Sequence, residues 1–359
     1  SATFEVVLNA PPTADVTVPV ASGDTSEGTV SPQSLVFTTS NWSTPQIVTV
    51  SGVDDDVADG DVAYSVIVSP ATSSDANYNG FDPPDVALTN LDNDTPGIRV
   101  FPVTALTTTE AGGAATFSIV LDSRPAADVV IDLASSDASE GIASVTQVTF
   151  TPGTWNVPRT ITVTGQDDHR VDGDVAYTIV TAAAVSSDPA YAGWSVADVS
   201  LTNIDDDVAG ILVTALNGLE TTEGGGMTAL SIVLTSEPAA DVVINVSSSD
   251  TSEGTLSPVR LTFTSVNWDQ SQVVTVQGQD DPQVDGDVVY TVVTAPAVSS
   301  DPDYNGRDAQ DLTLTNRDDD EAGFEIAAQT PLTTSESGQS AAFTVVLVSQ
   351  PTATVHIDL

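Results

Sequence analysis

The stretch "LTNIDDDVAG", residues 201–210, places three consecutive aspartates between two apolar runs. The residues before the aspartates alternate as in a β-strand, and the apolar segment "GILV" begins at residue 210. Adjacent carboxylates repel one another, so the aspartates favour a solvated connection between strands. The same arrangement recurs as "LTNLDNDTPG" at 88–97 and as "LTNRDDDEAG" at 314–323, which indicates a repeated unit.

The whole chain of 359 residues repeats with a constant period, without insertion or deletion between copies. Matching segments "FEVVLNAPP", "FSIVLDSRP", "LSIVLTSEP" and "FTVVLVSQP" begin at positions 4, 117, 230 and 343, so the period is 117 − 4 = 113. Trp42, Trp155 and Trp268 keep the same spacing. A fixed period indicates tandem domains.

We place the domain boundaries between the aspartates and the next strand. This predicts complete domains at 95–207 and 208–320, a domain lacking its first strands at 1–94, and the start of a further repeat at 321–359. A domain without its edge strands would expose unpaired backbone, so such ends favour a segment of a longer array.

Each period predicts β-structure. Residues 95–207 contain seven segments that alternate with period two and are rich in Val, Ile and Thr, separated by Gly, Pro, Asp and Ser. Seven strands in about 110 residues are typical of an antiparallel two-sheet sandwich. We therefore predict an all-β chain of tandem seven-stranded antiparallel Ig-like β-sandwich domains in a linear array.

The charge balance restricts the partners. The net charge is −44, and all seven cationic side chains are Arg. This balance argues against nucleic acid and anionic membrane surfaces, and favours metal ions. No apolar run is long enough to cross a membrane, so we expect no membrane insertion. There is no Cys, which excludes disulfides and zinc–thiolate sites.

The acidic residues of each copy concentrate in four loops that a sandwich can bring to one end. Calcium needs six to eight hard oxygen ligands, so the pattern predicts Ca²⁺ sites at that end. The alternative is that acidic residues are simply common in the surface loops of an acidic protein. The predicted metal ligands are Asp24, Asp54, Asp55, Asp59, Asp61, Asp92 and Asp94 in the first copy, Glu110, Asp137, Asp167, Asp168, Asp172, Asp174, Asp205, Asp206 and Asp207 in the second, and Glu223, Asp250, Asp280, Asp281, Asp285, Asp287, Asp318, Asp319 and Asp320 in the third.

The order of "TTTEAGGAATFSIVL", "SSD", "TPGTWNVPRTITVTGQDD", "DGD" and "LTNIDDD" resembles a Calx-beta domain. These calcium-binding sandwiches occur in sodium–calcium exchanger regulatory loops and in arrays of bacterial surface and adhesin-like proteins. The resemblance implies that the acidic residues of the second copy named above bind calcium. The sequence departs from the family at Val175, where the family often has Glu, and at Asn93 in the first terminal run.

Other repeated residues have simpler interpretations. We expect the three Trp to pack at the core edge, Tyr78, Tyr191 and Tyr304 to cover the sandwich end, and Asp75, Asp188 and Asp301 to cap turns. We interpret Glu27, Glu140 and Glu253 as solvated turn residues, with a role as further metal ligands as the alternative. His169 is replaced by Asp56 and Pro282 in the other copies, so it has no repeated role. Nothing in the sequence indicates a catalytic site, and we predict that the chain is not an enzyme.

The sequence thus predicts an extracellular spacer, with calcium stiffening the domain junctions of a long bacterial adhesin, matrix protein or cell-surface fibre. Its partners would be neighbouring repeats and other copies in a fibre. The alternative is a glycan- or protein-binding module of a cell-surface adhesin. Loops of constant length favour the spacer.

Overall fold

The computed structural model describes residues 1–328 and 331–358. All the regular elements of these residues are β-strands, which confirms the predicted fold class. Over the same residues, no helix has the length and apolar character needed to cross a membrane. The predicted repeat 321–359 is described except at positions 329, 330 and 359, which lie outside the described residues.

The first repeat forms two facing sheets, in the orders β1-β5-β3 and β4-β2-β6-β8, with β7 beside β2. Its strands are β1 (Ala2–Val6), β2 (Val16–Ser22), β3 (Gly28–Ser31), β4 (Ser34–Phe37), β5 (Gln46–Gly52), β6 (Val62–Val68), β7 (Thr72–Ser73) and β8 (Val86–Asn90).

The second repeat has the same architecture with two further strands at its start. Its strands are β9 (Ile98–Phe101), β10 (Leu106–Thr109), β11 (Ala114–Leu121), β12 (Val129–Ser135), β13 (Gly141–Ala143), β14 (Gln147–Phe150), β15 (Arg159–Gly165), β16 (Val175–Thr181), β17 (Val185–Ser186) and β18 (Val199–Ile204). One sheet has the order β13-β15-β11-β9, and the other has the order β10-β18-β16-β12-β14 with β17 beside β12.

The third repeat follows this plan, with sheets β19-β21-β25-β23 and β20-β27-β26-β22-β24, and the next repeat begins with the hairpin β28-β29. These strands are β19 (Ile211–Ala215), β20 (Glu220–Thr222), β21 (Met227–Leu234), β22 (Val242–Ser248), β23 (Gly254–Ser257), β24 (Arg260–Phe263), β25 (Gln272–Gly278), β26 (Val288–Thr294), β27 (Leu312–Arg317), β28 (Phe324–Ala328) and β29 (Phe343–Leu347).

The alternating sequence determines which side of each strand is buried. In β11 and β12, every second side chain faces the interior, where Phe117, Ile119 and Ile131 are at most 1% exposed. Burying a side chain of this size stabilises the fold by about 2–3 kcal/mol. Trp155 and Trp268 pack against the cores while staying partly exposed, which confirms their predicted position at the core edge.

In each complete repeat, a short strand that was not among the seven predicted segments follows the first one: β9 and β10, and likewise β19 and β20, lie in opposite sheets. Between them, Ala105 and Gly218, which occupy equivalent positions of the two repeats, adopt positive φ values of 61° and 96°. This left-handed backbone turns the chain from one sheet to the other, at a steric cost for Ala105 that Gly218 avoids. Strand β20 pairs parallel with β27, so this pair differs from the predicted antiparallel arrangement.

The chain divides into two compact units, formed by residues 1–166 with 176–203 and by residues 167–175 with 204–359. The loop 167–175 and the acidic run that begins at Asp205 thus belong to the second unit. The domain boundaries derived from the repeat stay predictions.

Candidate metal centre

Three acidic side chains of the third repeat converge at one end of the sandwich. Glu223 follows β20, and Asp318 and Asp320 follow β27; one carboxylate oxygen from each lies within 4.8 Å of the others. We call these three residues the Glu223 cluster. Glu223 is only 2% exposed. Glu223 Oε2 and Asp320 Oδ2 are buried and have no hydrogen-bond partner among the described residues.

Backbone amides hold the cluster in shape. The N–H of Gly286 donates to Asp318 Oδ2 at 2.7 Å, and the N–H of Asp320 donates to Asp318 Oδ1 at 2.8 Å. Gly286 has a φ of 80°, so the turn "DGD" requires glycine here. Asp287 Oδ1 accepts a 3.3 Å bond from the N–H of Asp318. The same three bonds recur in the two earlier copies, at positions 173, 174, 205 and 207 and at positions 60, 61, 92 and 94.

The charges of the cluster are poorly compensated. Burial, followed by the charge of Asp318, raises the pKa of Glu223 to about 7. Burial and the same neighbouring charge also raise the pKa of Asp320, whereas the amides of Asp320 and Gly286 lower the pKa of Asp318. A buried group of carboxylates in this state favours any cation that reaches it.

A second cluster in the third repeat consists of Glu253, Asp281 and Asp285, whose oxygens also lie within 4.8 Å of one another. We call it the Glu253 cluster. Burial raises the pKa of Glu253, and Asn316 Nδ2 donates to Glu253 Oε2 at 3.3 Å.

The interpretation of Glu140 and Glu253 as solvated turn residues was wrong, because each is only 5% exposed. The Asn of each "LTN" segment holds the Glu inward: Asn90 bonds to Glu27 in the first repeat, and Asn203 bonds to Glu140 in the second. The constant spacing of "SEG" and "LTN" was the sequence signal for this contact.

The aspartates that end the segment "SGD" at 22–24 and the segments "SSD" at 135–137 and 248–250 have a local role. Asp250 Oδ1 accepts from the N–H of Ser252 at 3.0 Å and from its hydroxyl, and Asp24 and Asp137 make the same bonds with Ser26 and Ser139. The serine hydroxyl, followed by the serine amide, lowers the pKa of each of these aspartates. Within residues 1–328 and 331–358, none of the three joins a compact acidic cluster.

The predicted ligands of the second repeat are distributed over both units. In the second unit, Asp167, His169 and Asp207 form a compact group, and Asp207 Oδ2 is buried without a hydrogen-bond partner among the described residues. Burial and neighbouring carboxylates raise the pKa of Asp172 and Asp207. In the first unit, Glu110 is 3% exposed at the end of β10.

The first repeat has a looser arrangement. The predicted ligands Asp54, Asp55, Asp59, Asp92 and Asp94 line one small pocket together with Glu27 and Asn93. Burial and the charge of Asp92 raise the pKa of Asp94. No three acidic residues of this described repeat approach as closely as those of the Glu223 cluster. The middle residues of the other two terminal runs, Asp206 and Asp319, also lie outside the compact groups found in the described chain.

Solved structures similar to this chain include calcium-binding, surface-layer and periplasmic chaperone proteins. Calcium binding domain CBD12 of CALX1.1 is 14% identical, with a TM-score of 0.32, over 62% of this chain and 99% of that chain. Domains 4–9 of surface layer protein SbsC are 12% identical, with a TM-score of 0.25, over 93% of this chain and 44% of that chain. The periplasmic chaperone SfaE is 11% identical, with a TM-score of 0.25, over 61% of this chain and 99% of that chain. No family model and no curated protein matches the sequence. At these identities and TM-scores, none of the three structures carries a conclusion about function.

Proposed function

We propose that the chain is a calcium-binding structural array, in which Ca²⁺ at one end of each complete repeat stabilises the loops that lead to the next repeat. The observation that carries this proposal is the Glu223 cluster, where two buried carboxylate oxygens have no hydrogen-bond partner in the described chain. Burying an ionised carboxylate without a partner costs several kcal/mol. A bound cation removes that cost.

The donor chemistry favours calcium. The Glu223 and Glu253 clusters offer carboxylate oxygens only, without nitrogen or sulfur. Such hard oxygen donors suit Ca²⁺, which also accepts backbone carbonyls and water. Glu223, Asp318 and Asp320 would hold one ion, and Glu253, Asp281 and Asp285 would hold a second. The metal would supply the positive charge that these residues lack.

The position of the Glu223 cluster supports a structural role. Strand β28 begins at Phe324, four residues after Asp320, so an ion bound by Asp318 and Asp320 would restrain the start of the next repeat. The constant repeat period preserves this connection in every copy. We infer a spacer of a long extracellular bacterial adhesin, matrix protein or cell-surface fibre, whose partners are neighbouring repeats.

Calcium titration of the full chain tests the proposal. Isothermal titration calorimetry of metal-free protein is expected to give dissociation constants of about 10⁻⁴–10⁻³ M, the range of extracellular calcium modules. Magnesium should bind more weakly, because it demands octahedral geometry and gives up water reluctantly. The absence of both binding heat and a change in melting temperature at 10⁻² M calcium, which is about ten times that range, would contradict the proposal.

A matched pair of variants tests which acidic residue of the "SSDTSEG" segment is a ligand. Glu253→Gln is expected to weaken calcium binding by the third repeat about tenfold or more, because it removes a charge from the Glu253 cluster; about 1.4 kcal/mol corresponds to this factor. Asp250→Asn should leave calcium binding within about twofold, because Asp250 bonds within its own turn. Calorimetry of both variants checks this, and a larger effect from Asp250→Asn would reverse the assignment.

A further inference from the structure

A backbone hydrogen bond recurs three times along the chain, and each time it links two segments far apart in sequence. The N–H of Arg124 donates to the carbonyl of Asp56 at 2.6 Å, that of Glu237 to His169 at 2.7 Å, and that of Gln350 to Pro282 at 2.5 Å. The three donors are spaced by one repeat period, and so are the three acceptors. Each bond lies within one of the two compact units.

The donors sit in the turns Ser123–Pro125, Ser236–Pro238 and Ser349–Pro351, which we call the S-x-P turns. Two of these turns are fixed by a buried tyrosine. Tyr191 Oη accepts from the N–H of Ser123 at 3.1 Å and donates to its carbonyl at 2.7 Å, and Tyr304 does the same for Ser236. The proline of the turn has no N–H. The middle residue is therefore the one position of these turns with an amide left to donate outward.

The acceptors sit at the tip of the loop that also carries acidic residues, and we call them the loop tips. Around the tip of the second repeat, further contacts reinforce the bond. Arg170 Nη2 forms an ion pair with Glu237 Oε1 at 2.9 Å, and Val171 packs against the core of the third repeat. The rings of His169 and Trp268 lie 5.8 Å apart.

The side chains at these positions are unrelated, but the backbone bond is constant. The loop tips are Asp56, His169 and Pro282, and the donors are Arg, Glu and Gln. A contact that survives such changes depends on the backbone.

We propose that the loop tip of one repeat and the S-x-P turn of the next form a joint. In this joint, the backbone carbonyl of the tip accepts a hydrogen bond from the middle amide of the turn. The partner of a loop tip is therefore any following repeat whose turn presents this amide. The ion pair of Arg170 with Glu237 strengthens one joint without being required by the others. The hydrogen bond itself needs no bound metal, although the loop tip Pro282 lies between the proposed calcium ligands Asp281 and Asp285.

The first repeat contains a natural variant of the turn. Its equivalent residues are Ala10, Pro11 and Pro12, so the middle position has no amide to donate. Tyr78 Oη still donates to the carbonyl of Ala10 at 2.5 Å, so the turn keeps its tyrosine contact with proline at this position. The substitution Glu237→Pro copies this turn into the third repeat and removes the amide from the joint.

Hydrogen–deuterium exchange of the full chain tests the proposal. In Glu237→Pro, peptides covering the loop 167–175 should exchange about fivefold faster, as expected for the loss of one backbone hydrogen bond. The control Glu237→Gln keeps the amide, copies the Ser349–Pro351 turn and loses the ion pair. It should change exchange in the loop by less than about twofold, since an ion pair whose arginine is largely exposed contributes little.

Three outcomes would overturn the proposal. The first is unchanged loop exchange in Glu237→Pro, and the second is an equal increase in Glu237→Gln, which would assign the contact to the side chain. The third outcome needs no variant. It is that the amides of Arg124 and Glu237 in the unmodified chain exchange at the rate of an unprotected peptide. Loss of exchange protection in β21 and β25 would show that Glu237→Pro is unfolded. In that case Arg124→Pro provides the same test in the first unit, with exchange measured in peptides covering the loop 54–61.

Discussion

Glu223→Gln is expected to raise the melting temperature of the third repeat without metal and to lower it in calcium. Without metal, the glutamate carboxylate is buried beside Asp318 and Asp320, and its pKa is raised from 4.5 to about 7. One pKa unit corresponds to about 1.4 kcal/mol, so the ionised form destabilises the metal-free fold at pH 8 by on the order of 1–3 kcal/mol. Glutamine has the same shape without the charge and should recover most of this free energy.

In calcium the sign reverses, because the substitution removes a charged ligand. Ligand bound only to the native state at 100 times its dissociation constant stabilises it by about 2.7 kcal/mol, and the variant should lose much of this contribution. Thermal unfolding of the variant and the unmodified chain, in calcium and in chelator at pH 8, measures both effects.

Glu325→Gln is the matched control for this experiment. Glu325 lies exposed on β28, outside both clusters of the third repeat. The same charge is lost there, so the control should change the melting temperature little under either condition. A Glu223→Gln variant that is destabilised equally with and without calcium would show that Glu223 has only a packing role.

The strand pattern was predictable because burial alternates along each strand. The two sheets of a repeat face each other across its core. Buried residues such as Phe117 in β11 and Ile131 in β12 therefore alternate with exposed ones along their strands, and this period of two is visible in the sequence. The crossover at Ala105 and Gly218 was not predictable. It depends on a left-handed backbone at one residue, and alanine gives no sign of that conformation.

The candidate site was predictable at the level of loops, but not of individual carboxylates. Asp250 and Glu253 are three residues apart in one acidic turn. Asp250 bonds to Ser252 two residues later, whereas Glu253 is turned inward by Asn316, which is distant in sequence. Only the second contact depends on the folded sheet, so the local composition of the turn favoured the wrong interpretation of Glu253 as solvated.

The joint was not predicted from the sequence, because comparing the repeats compares their side chains, whereas this hydrogen bond joins backbone groups. Asp56, His169 and Pro282 share no side-chain chemistry, so the position was interpreted as having no repeated role. Their carbonyl oxygens nevertheless accept equivalent hydrogen bonds. A constant period without insertions was the one sequence feature consistent with a contact of this kind.

The metal-free third repeat is expected to lose stability as the pH rises from about 5 to about 8. Burial first, and neighbouring carboxylates next, raise the pKa of Glu223 to about 7 and also raise the pKa of Glu253 and Asp320. An acid whose pKa is higher in the folded state binds its proton more tightly there, so folding is favoured while the group is protonated. That advantage is complete below the unfolded pKa of 4.5 and is lost as the pH passes through about 7.

The opposite shifts act outside this window. Hydrogen bonds lower the pKa of Asp250 and Asp318 below 3.8, so the stability they contribute is present above that pH and is lost only in stronger acid. Calcium should remove the decline between pH 5 and pH 8, because the ion competes with protons for the same oxygens and binds better as they ionise. Urea unfolding at four pH values across this window, in metal-free buffer and in calcium, measures both slopes. A metal-free stability that rises with pH through 7 would mean that the Glu223 carboxylate is compensated within the protein, and that this cluster needs no bound cation.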